Sequence, residues 1–217
     1  MKKFLRSLIT ITVLTPAIAF AQPKPPIVIP NIDFGVKAGA NFAQLNGKSW
    51  DNGYKANFLG GFFIGVRIKK VGVQAEAFFS QTRYTTTGKK FYDIYHNDPN
   101  ISFNTIKDSS AESRFNVGYL NIPVLFQFNV LPMLWVQAGP QYSGVVTVNN
   151  PDELVQNARG LFKSGSFSGV VGLEAKLPMN FLIGARYIFG LSNSNNTSIS
   201  GAWQQNLIQA HIGYSFL

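Results

Sequence analysis

The sequence predicts an all-β chain folded as an eight-stranded antiparallel transmembrane β-barrel of up-and-down meander order. Three observations predict it. The first is scarce charge: soluble domains average roughly 25% charged residues, and this chain of 217 residues carries 13%, with 46% hydrophobic and 14% aromatic. That is too little charge to coat a soluble surface, yet nothing after the N-terminus has the length and apolarity of a membrane helix. The second is a period-2 alternation that dominates from Asp33 onward while the helical period is nearly absent. The third is a sorting of connections into short and long.

The chain opens with "MKKFLRSLITITVLTPAIAFAQ", a basic start, an apolar middle and the small-residue ending Ala19-Phe20-Ala21. Residues 1–21 therefore read as a secretory signal peptide cut before Gln22. An N-terminal anchor helix is disfavoured, because the apolar run is short and broken by Thr10, Thr12, Thr15 and Pro16. Removing Lys2, Lys3 and Arg6 takes the formal net charge from +9 to +6. No basic cluster exceeds the pairs Lys69-Lys70 and Lys89-Lys90, which argues against a nucleic-acid partner and suits acidic lipid headgroups. With no cysteine, disulfides and thiolate metal sites are excluded. Residues 22–32, containing "QPKPPIVIP", read as an extended periplasmic lead-in, and 33–217 as the barrel.

The first strand, 33 to 44, alternates Phe34, Val36, Ala38, Ala40 and Phe42 with Gly35, Lys37, Gly39 and Asn41. The second, 56 to 68, sets Phe58, Phe62, Ile64, Val66 and Ile68 against Leu59, Gly61, Phe63, Gly65 and Arg67. Only Lys69-Lys70 separates it from the third, "VGVQAEAFFSQ", which makes the two an antiparallel hairpin. The fourth, 115 to 130, contains "YLNIPVLFQFNV"; the fifth is "LWVQAGPQYSG". The sixth and seventh, "SFSGVVGLEAK" and "FLIGARYIFG", carry Glu174, Lys176 and Arg186 on the less apolar side. The eighth, "NLIQAHIGYSFL", sets Ile208, Ala210, Ile212, Tyr214 and Phe216 against Gln209, His211, Gly213 and Ser215.

Turns near 69, 131 and 178 are short, two of them sharing the tripeptide Leu-Pro-Met (131–133 and 177–179). The connections at 45–55, 85–113, 147–164 and 191–204 are long and rich in Asn, Ser, Gly and Asp. Short periplasmic turns and long extracellular loops are the habit of an outer-membrane barrel. Charge settles which face looks inward. The face of Phe62, Val71, Val136, Ile183 and Ile212 has no charged residue in mid-strand, whereas the other holds Lys37, Arg67, Glu76, Glu174, Lys176 and Arg186. An Arg or Lys facing lipid at the midplane costs roughly 2–4 kcal/mol, so the charged face is expected to line the lumen. A soluble lipocalin-like ligand-binding barrel is the rival; it would put these charges outside. Phe42, Phe79, Phe181 and Phe216 suit outward interfacial girdles.

The segments "FGVKAGANFAQL", "YLNIPVLFQF", "VQAGPQYSG" and the closing "QAHIGYSFL" resemble the outer-membrane β-barrel domain family common in Bacteroidetes, often labelled PorT-like. The resemblance covers about 34 to 217. It implies a compact eight-stranded barrel in the outer membrane of a Gram-negative cell, with no activity established for most members. Phe216, with Tyr214, Ile212, Ala210 and Ile208 alternating before it, resembles a signal read by the barrel-assembly machinery, although Leu217 follows the aromatic residue.

An eight-stranded interior is just wide enough for its own side chains. Trp135, Phe63, Phe78 and Leu125 are expected to fill it, together with a charge network of Lys37, Arg67, Glu76, Glu174, Lys176, Arg186 and His211. A three-residue turn at 178–180 would place Glu174 across from Gly184, with Arg186 one diagonal step away. Such a network is a structural plug or, alternatively, an ion-selective constriction. His211 reads as an interior structural residue rather than a catalytic one, so no enzyme activity and no cofactor are expected. Asp93, His96 and Asp98 read as a solvated loop rather than a metal site. Phe91, Tyr92, Tyr95 and Phe103 in the 85–113 connection are candidates for binding an extracellular partner, or else an aromatic belt or a hairpin rising above the membrane. Residues 150–162 are expected to form one or two helical turns with Asp152 and Glu153 near the start. The expected role is structural or binding, through the outer loops, in contact with outer-membrane lipid and with an unidentified extracellular or periplasmic partner. A narrow transport pore is the alternative.

Overall fold

Alternation of apolar and polar side chains, carried through eight segments, closes the sheet on itself. The structure is a computed structural model and describes residues 29–51, 53–104, 110–198 and 201–216. The expected signal peptide (residues 1–21), residues 22–28 of the expected lead-in and Leu217 lie outside the described residues. The strands are β1 (Asn31–Asn46), β2 (Lys55–Ile68), β3 (Val71–Thr87), β4 (Glu112–Leu131), β5 (Leu134–Asn149), β6 (Gly165–Lys176), β7 (Phe181–Gly190) and β8 (Gln204–Ser215). They form one closed ring in sequence order, every neighbour antiparallel. β8 returns to β1 with pairs such as Val36↔Tyr214 and Gly39↔His211, so no edge is left unpaired. At that seam a Cβ on Gly39 would sit 2.1 Å from the Ala210 carbonyl oxygen; the tight curvature needs glycine there.

The faces point as charge requires. Phe62 is 69% exposed and Val71, Val136, Ile183 and Ile212 are exposed with it, whereas Lys37, Arg67, Glu76, Glu174 and Arg186 are buried inside the ring. That placement is the reverse of a soluble ligand-binding barrel. Phe42, Phe79, Phe181 and Phe216 face outward. Among the described residues no helix is long and apolar enough to cross a membrane. The outward wall of strands is the apolar surface instead.

The short turns, Lys69-Lys70, Pro132-Met133 and Leu177–Asn180, lie at one end, and the four long connections at the other. Four details differ from the sequence-based expectation. β1 starts at Asn31, because the ladder continues to the pair Asn31↔Arg67. The β3–β4 hairpin is longer than expected, paired as far as Thr87↔Glu112, because the β-branched run Thr85-Thr86-Thr87 sustains the ladder. The connection above it holds a helix, α1 (Gly88–Tyr95), whose start is fixed by the Thr87 hydroxyl accepting from the Lys90 N–H at 3.3 Å. The helical turns expected in 150–162 reduce to one 3₁₀ turn at Ala158–Leu161, started by Asn157 rather than by Asp152 and Glu153.

Candidate functional site

Two groups of buried side chains occupy the ring and its long-loop end. The first begins near the short turns. Asp33 on β1 pairs with Arg67 on β2, and both its carboxylate oxygens lie 3.1 Å from Lys176 Nζ on β6. The Arg67 guanidinium lies 5.2 Å from the centre of the Trp135 ring on β5.

Above that layer, Lys37 Nζ donates to Glu76 Oε1 at 2.7 Å and to Glu174 Oε2 at 2.5 Å. Arg186 donates from Nη1 and Nη2 to the two oxygens of Glu76, both at 2.6 Å, and from Nε to Gln137 Oε1 at 3.0 Å. Its Nη2 is also 3.6 Å from Glu174 Oε2. Gln74 donates to Glu76 at 2.6 Å, and His211 Nε2 lies 3.1 Å from Glu174 Oε2. Glu174 is opposite Gly184, as the three-residue turn requires. Strands β3 and β7 are four places apart in a ring of eight, so the bidentate Arg186–Glu76 pair runs across the diameter. Two cations and two carboxylates thus balance in a site closed to solvent, where an unpaired charge would be very costly.

Higher still the contacts become neutral. Asn121 bridges Ser80 at 2.9 Å and Ser143 at 2.7 Å, and Gln209 donates to Asn41 at 3.0 Å. Tyr84 and Tyr119 share a hydroxyl contact of 3.2 Å, with Gln205 donating to Tyr84 at 2.6 Å. Among the described residues, several buried polar atoms in the ring make no hydrogen bond to protein, including Arg67 Nη1, Gln127 Oε1, Gln137 Nε2, Glu174 Oε1 and His211 Nδ1.

The second group is a cap over the long-loop end. Trp50 makes ring contacts with Tyr84, Phe91, Phe115, Phe162 and Trp203. Leu45, Tyr95, Val117, Leu154, Val155 and Leu161 complete an apolar cluster drawn from all four long connections and the strand ends below them. Phe91 and Tyr95, four apart on α1, are buried in it, and Phe103 packs against it. This corrects the expectation of four exposed aromatics: only Tyr92 is exposed, stacked on His96 at 5.3 Å and met edge-on by Phe103 at 5.0 Å. The helical spacing of Phe91 and Tyr95 explains it, since one face of α1 must turn to the core.

Asp98 ties the cap together, accepting from the N–H of Asn100 at 2.9 Å and of Ser198 at 2.7 Å. His96 Nδ1 contacts the Tyr92 carbonyl at 3.0 Å, so Asp98 and His96 are engaged in local structure. Among the described residues no three His, Asp or Glu side chains converge on a metal position. Asp152 accepts from the Arg114 N–H at 2.7 Å and from its guanidinium at 2.9 and 3.0 Å. Those bonds hold the Asp152 carboxyl below the usual aspartate pKa.

Sequence reasoning missed Asp33 and the members of the cap outside 88–104. Asp33 sits in step with Gly35 and Lys37 on the inward side of β1, a signal the period-2 pattern held. Trp50, Phe162 and Trp203 lie in irregular connections, where no period marks a core position.

Residues 20–196 match the family described as outer membrane protein beta-barrel domain. No curated protein matches the chain. Two solved structures are similar to it. One is Ail, the attachment invasion locus protein of Yersinia pestis in complex with the heparin analogue sucrose octasulfate. It is 14% identical, covering 85% of this chain and 99% of that one, with a TM-score of 0.42. The other is Neisserial surface protein A, 13% identical, covering 84% of this chain and 97% of that one, with a TM-score of 0.48. With the family match spanning most of its length, the chain belongs to the outer membrane protein β-barrel domain family, and its place is the outer membrane.

Proposed function

We propose that the lumen of this barrel is plugged by its own side chains and that the protein works as a structural or binding element through its extracellular loops. The observation that carries the reading is the Arg186–Glu76 pair across the diameter, with Lys37 and Glu174 beside it. A direct ion pair between opposite walls obstructs the lumen at that height, and the barrel size supports the same reading. The loops support binding because they are preorganised: a packed aromatic cluster holds them, which lowers the ordering cost of meeting a partner. Tyr92 with His96 is the exposed aromatic surface for such contact. No catalytic role is assigned to His211, whose Nε2 is engaged with Glu174.

The narrower PorT-like placement, export by residues 1–21 and recognition of the last strand by the barrel-assembly machinery belong to the same proposal, supported by the sequence segments that suggest them. A narrow pore is the second reading, favoured by the lumenal polar atoms that bond to no protein group and so call for water.

Planar-bilayer recording tests the choice. The wild-type barrel, verified by a gel mobility that changes on boiling, is expected to conduct no steady current. A steady conductance altered by Glu76→Gln or Arg186→Gln would overturn the plug and establish the pore. Binding is tested by excising 88–110: a partner interaction should vanish while the barrel still assembles, and an unaltered interaction would move the site elsewhere.

A further inference from the structure

Leu131-Pro132-Met133 and Leu177-Pro178-Met179 form neighbouring turns at the end opposite the cap. The Lys176 N–H donates to the Met133 carbonyl at 2.8 Å, so the two tips stand side by side. Leu131, Met133 and Leu177 are exposed, and Met179 is 81% exposed. Folding does not ask for these residues. Met179 has φ +61°, the left-handed region that Gly or Asn occupies with least strain, and a polar residue would serve a turn tip in water better. The chain instead holds a large apolar side chain out at both tips, and at Met179 it does so in a strained backbone conformation.

The patch is continuous with the outward wall, through Val130 and Phe128 on β4 and Phe181 on β7, all exposed. The remaining short turn is different: Lys69 and Lys70 are both exposed there, on the β2–β3 side of the rim. The short-turn rim is therefore apolar on one side and basic on the other.

We propose that the paired Leu-Pro-Met turns are a membrane foot. Their apolar tips enter the acyl region of the inner leaflet, while Lys69 and Lys70 meet the acidic headgroups of that leaflet. Apolar area contiguous with the lipid-facing wall gains by staying out of water, and lysines are held at headgroup level by their charge. The barrel consequently sits unevenly, deeper on the β4–β7 side.

The absence of cysteine makes the test clean. Met133→Cys, Met179→Cys and Lys70→Cys, each carrying a polarity-sensitive nitrobenzoxadiazole label, are refolded into vesicles of phosphatidylcholine and phosphatidylglycerol, with boiled and unboiled gel mobility confirming the barrel. Labels at 133 and 179 should emit to the blue, lose intensity to acyl-chain spin labels and resist aqueous iodide; the label at 70 should do the opposite. Iodide quenching at 133 and 179 equal to that at 70 would overturn the proposal and leave a periplasmic protein as the occupant. The unlabelled chain gives an independent reading. Its methionines are Met1, Met133 and Met179, so in a chain refolded without residues 1–21 sulfoxide formation reports on this patch alone. Water-borne chloramine T should oxidise both slowly in vesicles and fast in the unfolded chain. Equal rates would sink the foot.

Discussion

In the barrel, Phe62 and Ile212 are exposed and Glu174 is buried; in the cap, Trp50 and Trp203 are buried and Lys48 and Lys89 are exposed. One chain thus runs two opposite burial rules a few residues apart, and β3 passes from one to the other. Below, its inward residues are Gln74, Glu76, Phe78, Ser80 and Thr82, polar but for Phe78; near its upper end the inward Tyr84 belongs to the aromatic cluster. The difference comes from what each outer surface meets. Where the outside is hydrocarbon, burying an apolar side chain inward gains nothing over leaving it in lipid, and the interior is free to hold the polar groups. Where the outside is water, the hydrophobic effect recovers its usual direction. The lumen must then be held by pairing, which is directional and all-or-none, whereas the cap is held by area, which is graded and tolerant.

The largest effect should follow from breaking the lumen pairing. Glu76→Leu leaves Arg186 and Lys37 facing Glu174 alone, and stranding a buried charge in this way costs about 3–5 kcal/mol. The urea midpoint of the barrel refolded in vesicles should fall accordingly. Adding Arg186→Leu restores charge balance with Lys37 and Glu174, and should recover most of that loss. A single variant as stable as the wild type would mean that the lumen is solvated rather than held by pairing.

Trp50→Ala probes the other rule. Truncating a core aromatic costs about 3–5 kcal/mol, and here the loss should fall on the loops. Protease should nick 88–104 faster, while the heat-dependent mobility of the barrel persists. If barrel and cap were one cooperative unit, the two readouts would fail together, and the contrast between the regions would not hold.

The same contrast explains what could be read from the sequence. In the barrel every strand repeats a two-residue period against lipid, so strands, faces, short turns and even the opposition of Glu174 and Gly184 followed from alternation and turn length. Asp33 was within reach of that logic, being in step with Lys37. The cap has no such period. Trp50, Phe162 and Trp203 converge from connections distant in sequence, and only tertiary packing puts them together. Even α1, with Phe91 and Tyr95 one helical step apart, is too short at eight residues for its period to stand out against the surrounding strands. Burial in the cap therefore had to be seen, and it reversed the exposure expected for Phe91 and Tyr95.

The smallest expected effect lies on the cap's polar surface, at Arg114 and Asp152. The folded protein depresses the Asp152 pKa below its unfolded value, so the contribution of the pair is present above the ordinary aspartate pKa and is lost as pH falls through the lower, folded one. Between pH 7 and 5 the 150–157 segment should stay docked on β4 with no change. Once pH falls below that depressed folded pKa, protonation of Asp152 releases the guanidinium, and the Arg114 amide, which donates to the same carboxylate, should lose protection against hydrogen exchange while the β4 amides beneath it keep theirs. Asp152→Asn should abolish that pH step while leaving the core of the cap intact, because Leu154 and Val155 remain anchored by apolar contact. A step that survived the substitution would assign it to another carboxylate; a collapse of the cap would mean that its polar surface, like the lumen, is held by pairing after all.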